Sequence, residues 1–352
     1  MDNKGYYDGT KLLSLRDLNG NKPEIYISTS NRGPGKTTYF NRYVVNRFLK
    51  TGEKWMCIYR YGTDLKNLSD KFFKDIGSLF FQQYTMTAKK DPSEAFYNIW
   101  IRKGEGHEQH AGYGVALNAA EKIKNNSHLL SDTRRQLFDE FQTETNTYLS
   151  DELIRFQSIH TSVARGQGEF ARYLPVYMIS NFSSIINPYY VGMGISDRLR
   201  SDTKYLRGDG WVLEQGYYPD AAQALKESGF MRAFGDSTYN KFAAEKVYLN
   251  DNTAFIAVPK GKGRYLATIA YKDSLFAVRA FSSQGIVYCD QNVDNSFPVK
   301  LALTTEDHQI NYVMLRSSSD LVLNLRWYFE KGCFRFKNLQ AKECILKLVS
   351  YY

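Results

Sequence analysis

The chain has 352 residues, 43% hydrophobic and 24% charged, which is globular composition with enough apolar mass for more than one core. Its 46 basic and 37 acidic residues give a formal charge of +9, compatible with a partner carrying negative charge, yet the excess is spread along the chain and forms no basic tail. Cys57, Cys289, Cys333 and Cys344 make no CxxC pair and fit buried free thiols in a reducing cytoplasm, and no apolar run approaches the roughly 20 residues that span a bilayer, so membrane insertion and secretion are not expected.

In chain order, Glu24 to Ser28 reads as a short strand entering the glycine-rich run Asn31-Arg32-Gly33-Pro34-Gly35. Phe40, Val44 and Phe48 then recur four apart, the spacing of one helical face, and Gly52 stands where a C-cap glycine belongs. Trp55 to Tyr61 reads as a second strand, with Thr63 as the cap of a helix running to Gly77. This alternation predicts an α/β domain with a parallel sheet.

From Ser78 to about Asn126, short aromatic strands at Leu79 to Thr85 and Phe96 to Arg102 predict a β-rich insertion, with His107-Glu108-Gln109-His110 as a polar loop rather than a metal motif. Leu174 to Ser180 reads as a buried strand, and 216–250 as a short helical linker. Phe255 to Val258, Arg264 to Tyr271, Leu275 to Phe281 and Ile286 to Cys289 predict an antiparallel meander, followed by two closing helices. The expected division is therefore 1–215, 216–250 and 251–352.

Ser30-Asn31-Arg32-Gly33-Pro34-Gly35-Lys36-Thr37 fits the phosphate loop GxxxxGK[ST] except that Ser30 replaces the first glycine. Backbone N–H groups from Asn31 to Thr38 would cradle phosphates, Lys36 would reach the terminal ones, and Thr37 would hold Mg²⁺. Thr38 continues that cradle into the helix. In Leu137-Phe138-Asp139-Glu140, Asp139 supplies a carboxylate for the metal and Glu140 one to polarise the attacking water. The polar Arg134-Arg135-Gln136 upstream predicts that this strand is short or near a sheet edge. Asn181, after a buried strand, reads equally as a γ-phosphate sensor or as a turn or cap, and Arg165 taken alone reads as a solvated arginine. A nonhydrolysing nucleotide-dependent scaffold and a small-molecule kinase remain alternative readings of the same loop.

Asn31 to Thr37, Asn46-Arg47-Phe48-Leu49-Lys50 with Gly52-Glu53, Tyr59-Arg60-Tyr61, Phe138-Asp139-Glu140-Phe141 and Ser180-Asn181 with Asn187-Pro188-Tyr189 together give the chain a family likeness. It resembles the DNA-packaging motor ATPases of phi29-like small tailed bacteriophages, additional-strand catalytic-glutamate phosphate-loop enzymes. Leu303 to Asp307 and Phe334-Arg335-Phe336 extend the resemblance to the carboxyl-terminal part.

The resemblance implies an ATPase using ATP and Mg²⁺ in a homomeric, pentameric ring, in the host cytoplasm and transiently at the portal vertex of an empty capsid. The ring would pump double-stranded DNA inward, docked on the portal or connector with or without a structural packaging RNA. Arg165 then matches a trans-acting arginine finger, and Lys124 a second trans-acting basic residue for which Lys122 competes. The meander with two helices resembles the vestigial ribonuclease-H-like nuclease domain of these motors. A two-metal nuclease needs converging carboxylates, and between Asn252 and Lys272 there are none. No cleavage is expected, and Lys260, Lys262 and Arg264 stand there as a nucleic-acid or portal contact or as a solvated turn.

Overall fold

A computed structural model describes residues 6–350 apart from 146, 166–169, 197, 200–202, 236, 238, 241–242, 244–254 and 315–319. The chain divides into two compact units, 1–250 and 251–352.

In the first unit the strands are β1 (Ile25–Ser30), β2 (Lys54–Tyr59), β3 (Tyr84–Lys90), β4 (Tyr97–Lys103), β5 (Gln109–Ala116), β6 (Thr133–Asp139), β7 (Val176–Asn181), β8 (Tyr205–Arg207) and β9 (Trp211–Gln215). Among the described residues they form one nine-stranded sheet in the order β3-β4-β5-β2-β6-β7-β1-β9-β8. From β5 to β9 all neighbours run parallel, whereas β3, β4 and β8 are antiparallel additions. β7 lies between β1 and β6, so the strand entering the phosphate loop and the one bearing Asp139 are separated by one additional strand.

Successive strand residues point to opposite faces, and both faces are apolar. Tyr26, Trp55, Cys57, Leu137 and Tyr177 pack on one side against α1 (Thr10–Ser14), α2 (Lys36–Thr51) and α3 (Leu68–Phe80). Ile27, Met56, Ile58, Phe138 and Met178 pack on the other against α4 (Ala120–Asn125), α5 (Glu152–Ala164) and α6 (Pro188–Gly192). On α5, Phe156, Ile159 and Val163 recur on one stripe and are buried. Each such side chain contributes about 1.5–3 kcal/mol on leaving water, which fixes α5 beneath the sheet despite its polar outer face. Two short helices, α7 (Pro219–Lys226) and α8 (Gly229–Ala233), complete this unit; the expected helical stretch from 241 onward lies almost wholly outside the described residues.

Several sequence expectations are corrected here. β6 is neither short nor at an edge: it pairs with β2 and β7 and spans Thr133–Asp139. Its polar residues are tolerated because they are partnered: Arg135 is buried and paired with Glu53, and Gln136 Oε1 accepts from His160 Nδ1–H at 2.8 Å. Thr63 caps no α-helix, since Gly62–Asn67 forms a 3₁₀ turn before α3. α3 continues through Leu79, so the strand expected from Leu79 begins only at Tyr84. The β-rich insertion is present, but Gln109 and His110 open β5, which joins β2 and builds the insertion into the main sheet. β8 and β9 were not expected.

In the second unit, β10 (Arg264–Tyr271), β11 (Ser274–Phe281) and β12 (Ile286–Asp290) form the antiparallel meander. It is widened by parallel β13 (Lys300–Ala302), β14 (Val313–Met314) and β15 (Phe334–Phe336), in the order β14-β13-β10-β11-β12-β15. α9 (Asp320–Glu330) and α10 (Leu339–Ser350) cover one face through Val322, Leu325, Ile345 and Leu348. Phe255 to Val258 is no strand and contributes a single bridge, Ile256 to Phe336. Lys260, Lys262 and Arg264 are all exposed.

Candidate functional site

The site lies at the carboxyl ends of the parallel strands, where open α/β sheets place their ligands. β1 ends at Ser30, and the loop turns through Gly33 and Gly35, both at φ +89°, before α2 begins at Lys36. A side chain at either glycine would be strained by that conformation. The first N–H groups of α2 have no intrahelical partners and carry the positive end of its dipole.

The loop is tied down from three sides. The Asn31 amide exchanges hydrogen bonds with the backbone of Tyr218, at 3.0 and 3.1 Å. Arg32 N–H donates to Ala243 O at 3.1 Å, and its guanidinium pairs with Glu144. Pro34 O accepts from Tyr7 N–H at 2.7 Å. These anchors fix the backbone shape that a phosphate cradle requires.

Lys36 is buried, and its Nζ donates to Ser30 Oγ at 2.5 Å, to Asn181 Oδ1 at 3.3 Å and to Asn31 O at 3.4 Å. Burial brings its ammonium pKa down to about 8, against the opposing pull of Asp139. Thr37 is exposed, and its hydroxyl lies near enough to the Asp139 carboxylate to favour the charged form; Thr38 is half-buried. Burial, followed by the charge of Glu140, pushes Asp139 up to about 6, while the nearby Thr37 hydroxyl and the bond from Glu140 N–H at 2.9 Å oppose the rise.

Glu140 is exposed and sits at φ +53°, a left-handed conformation uncommon for a residue with a Cβ, of the kind found at functional sites. Its peptide is held by Arg60, from the end of β2. Arg60 Nη1 donates to Glu140 O at 3.3 Å and Nη2 to Phe141 O at 2.8 Å. The same guanidinium grips Glu152 bidentately at 2.9 Å, and Glu152 also accepts from Tyr189 OH at 2.8 Å. Thr37, Tyr59, Arg60, Asp64, Asp139 and Glu140 line a cleft of about 560 Å³. A second cleft of about 250 Å³ is lined by Arg60, Glu140, Gln142, Glu144, Asn181 and Ser183, sharing Arg60 and Glu140 with the first.

Lys36, Thr37, Asp139, Glu140 and Asn181 therefore come together. Arg165 and Lys124 do not join them. Arg165 is exposed after the last residue of α5, whose first residue is Glu152, so the 13-residue helix sets the two roughly 20 Å apart. Lys124 and Lys122 are exposed on α4 and line neither cleft. The reading of the sequence had assigned no role to Arg60, Glu152, Gln142 or Glu144. The one visible signal was an arginine, Arg60, directly after a buried strand.

The donors fit a nucleotide phosphate and a hard cation: an ammonium, the start of a long helix, a hydroxyl and a carboxylate, the oxygen ligands that suit Mg²⁺. Among the described residues no three His, Cys, Asp or Glu side chains converge as a further metal site, and no helix is long and apolar enough to cross a membrane.

The fold is similar to that of a chain in the bacteriophage phi29 viral genome packaging motor assembly, with TM-score 0.71, 21% identity and coverage of 98% of this chain and 99% of that one. It is also similar to a chain of the phi-28 gp11 DNA packaging motor, with TM-score 0.58, 15% identity and coverage of 99% and 97%. In sequence the chain is 24% identical over 342 residues to the DNA packaging protein of Bacillus phage phi29, covering 96% of this chain and 95% of the relative. It is 24% identical over 320 residues to the DNA packaging protein of Bacillus phage B103, covering 88% and 89%. The model of the podovirus DNA encapsidation protein (Gp16) family matches residues 1–350, and the chain belongs to that family.

Proposed function

We propose that this chain hydrolyses ATP as one subunit of a homomeric ring that drives double-stranded DNA into an empty capsid. The observation that carries the reading is the convergence of Lys36, Thr37, Asp139 and Glu140 at one end of the sheet, in a chain whose relatives are DNA packaging proteins. Bound ATP and Mg²⁺ supply the transferable phosphoryl group and the charge that neutralises it.

The chain's own residues then divide the work. Lys36 and the N-terminus of α2 bind phosphate oxygens, while the Thr37 hydroxyl and the Asp139 carboxylate hold the cation. The Glu140 carboxylate accepts a proton from water, and the Arg60 contact fixes the peptide from which it projects. Asn181 accepts from Lys36 through Oδ1, and its Nδ2–H₂ is the donor that would orient the terminal phosphate. Arg165 and Lys124, exposed and away from their own cleft, serve the cleft of the neighbouring subunit. The ring has five members on the family resemblance and works at the portal vertex, in the host cytoplasm.

The carboxyl-terminal unit is read as a nuclease-like fold without cleavage, because the middle of β10 carries Thr268, Ile269 and Ala270 where metal-binding acids would be needed. A nonhydrolysing scaffold would fit best if Ser30 disrupted the loop and β6 lay at a sheet edge. Ser30 is accommodated by its bond to Lys36, and β6 is central. A kinase would need an acceptor in place of water beside Glu140.

The test is ATP turnover with and without double-stranded DNA, alongside the mass of the assembled species. DNA-stimulated turnover by a multi-subunit assembly is expected; a monomer whose turnover ignores DNA would support the kinase instead.

A further inference from the structure

A lysine ammonium has three donors and no acceptor. At Lys36 the three are met by Ser30 Oγ, Asn181 Oδ1 and Asn31 O, with Ser30 the nearest at 2.5 Å. Ser30 is itself fixed: its hydroxyl hydrogen goes to Asn31 O at 2.8 Å, which leaves a lone pair aimed at Lys36. Ser30 and Asn181 are register partners on the parallel strands β1 and β7, so their side chains stand side by side beneath the ammonium. Ser30 is fully buried and Asn181 half-buried, and in such shielded surroundings a bond to a charged donor is strong. A glycine at position 30, which the phosphate-loop pattern calls for, would leave Lys36 with Asn31 O and Asn181 alone.

We propose that the Ser30 hydroxyl competes with phosphate oxygens for the Lys36 ammonium, so that this serine weakens the loop's hold on nucleotide and sets how readily product leaves. The inference rests on the nucleotide-binding reading above. Any phosphate oxygen that reaches Lys36 must replace a protein acceptor, and Ser30 offers the shortest of the three bonds. Asn31 O belongs to the loop backbone and can stay in place; the serine and the asparagine are the exchangeable partners. Ser30 is thus a positioning residue that acts through Lys36.

The experiment is calorimetric titration of ADP with Mg²⁺ into the full chain, for the wild type, Ser30→Ala, Ser30→Gly and Lys36→Ala, with thermal melts of each protein with and without ADP. Ser30→Ala and Ser30→Gly are expected to bind ADP about tenfold more tightly, the scale of one hydrogen bond to a charged group that no longer has to be exchanged. Their melts without ADP should fall by a few degrees, and the rise on adding ADP should exceed that of the wild type, as tighter binding requires. A serine of merely structural value would, when removed, loosen the loop and weaken binding, so the sign of the change separates the two roles. Unchanged or weaker ADP binding in the folded Ser30 variants, with Lys36→Ala still impaired, overturns the inference and leaves the nucleotide reading intact. Should Ser30→Ala fail to fold, Ser30→Gly, the residue of the general pattern, decides alone. Wild type that fails to bind ADP, or Lys36→Ala that binds it equally well, overturns the nucleotide reading and the inference with it.

Discussion

Arg60 donates to the backbone oxygen of Glu140 at 3.3 Å while its guanidinium is clamped on Glu152, whose side chain is fully buried. One arginine thereby links the strained peptide of the proposed catalytic glutamate to the first residue of α5. Removing it strands a buried carboxylate. Arg60→Ala is expected to lower unfolding free energy by about 3–5 kcal/mol, read from urea denaturation, and to depress ATP turnover. The paired change Arg60→Met with Glu152→Leu should recover most of the stability and none of the turnover. Recovery of both would show that Arg60 holds the fold and leaves Glu140 untouched.

A second prediction concerns pH. Lys54 Nζ donates to His110 Nδ1 at 2.9 Å, which fixes the imidazole as the tautomer whose Nε2–H donates to Gly112 O at 3.0 Å. Burial, then the charge of Lys54, lowers the His110 pKa, with Asp132 and Asp91 pulling the other way and the rings of Trp100 and Tyr113 packed 4.8 Å from it. The fold prefers neutral His110. Its contribution is fully present above the unfolded-state value of 6.5 and is lost as pH falls through the lower folded-state value. The urea midpoint of the wild type should therefore drop between pH 7 and pH 5 more steeply than that of His110→Gln. Parallel profiles for the two proteins would contradict this assignment.

Arg165 supplies a third. Because it is exposed beyond the end of α5, Arg165→Ala should leave the melting temperature unchanged. In assembled rings its loss should reduce turnover by about 10³-fold, the lower end of the range for an arginine finger. Mixed with Glu140→Gln subunits, it should regain activity, since each protein supplies what the other lacks. Activity that stays at the level of the two separate variants would rule out action between subunits.

Features encoded within a few residues were legible in the sequence: the strand, glycine loop and helix around Lys36, the Asp139-Glu140 pair, and the apolar stripe of α2. What was hidden depends on partners far along the chain. Arg135 and Gln136 suggested a strand that is short or near a sheet edge because Glu53 and His160, which neutralise or bond them, lie 82 and 24 residues away. The role of Arg60 requires Glu152, 92 residues on. β9 is wholly buried, yet Glu214 and Gln215 broke its apolar pattern; Tyr7 and Tyr205 each donate to Glu214 at 2.9 Å and make that burial tolerable. The assignment of Ser30 as a departure from pattern was correct as sequence, but only the register between β1 and β7 reveals what its hydroxyl touches.

The central claim is that Glu140 activates water for hydrolysis at a site built by Lys36, Thr37 and Asp139. Its most direct test is steady-state ATP turnover of wild type and Glu140→Gln in the presence of double-stranded DNA, with nucleotide affinity measured on both. The account predicts DNA-stimulated turnover in the wild type, a fall of about 10²- to 10⁴-fold in Glu140→Gln, and closely similar affinities. Equal turnover by the two proteins, whether negligible or substantial, would contradict it.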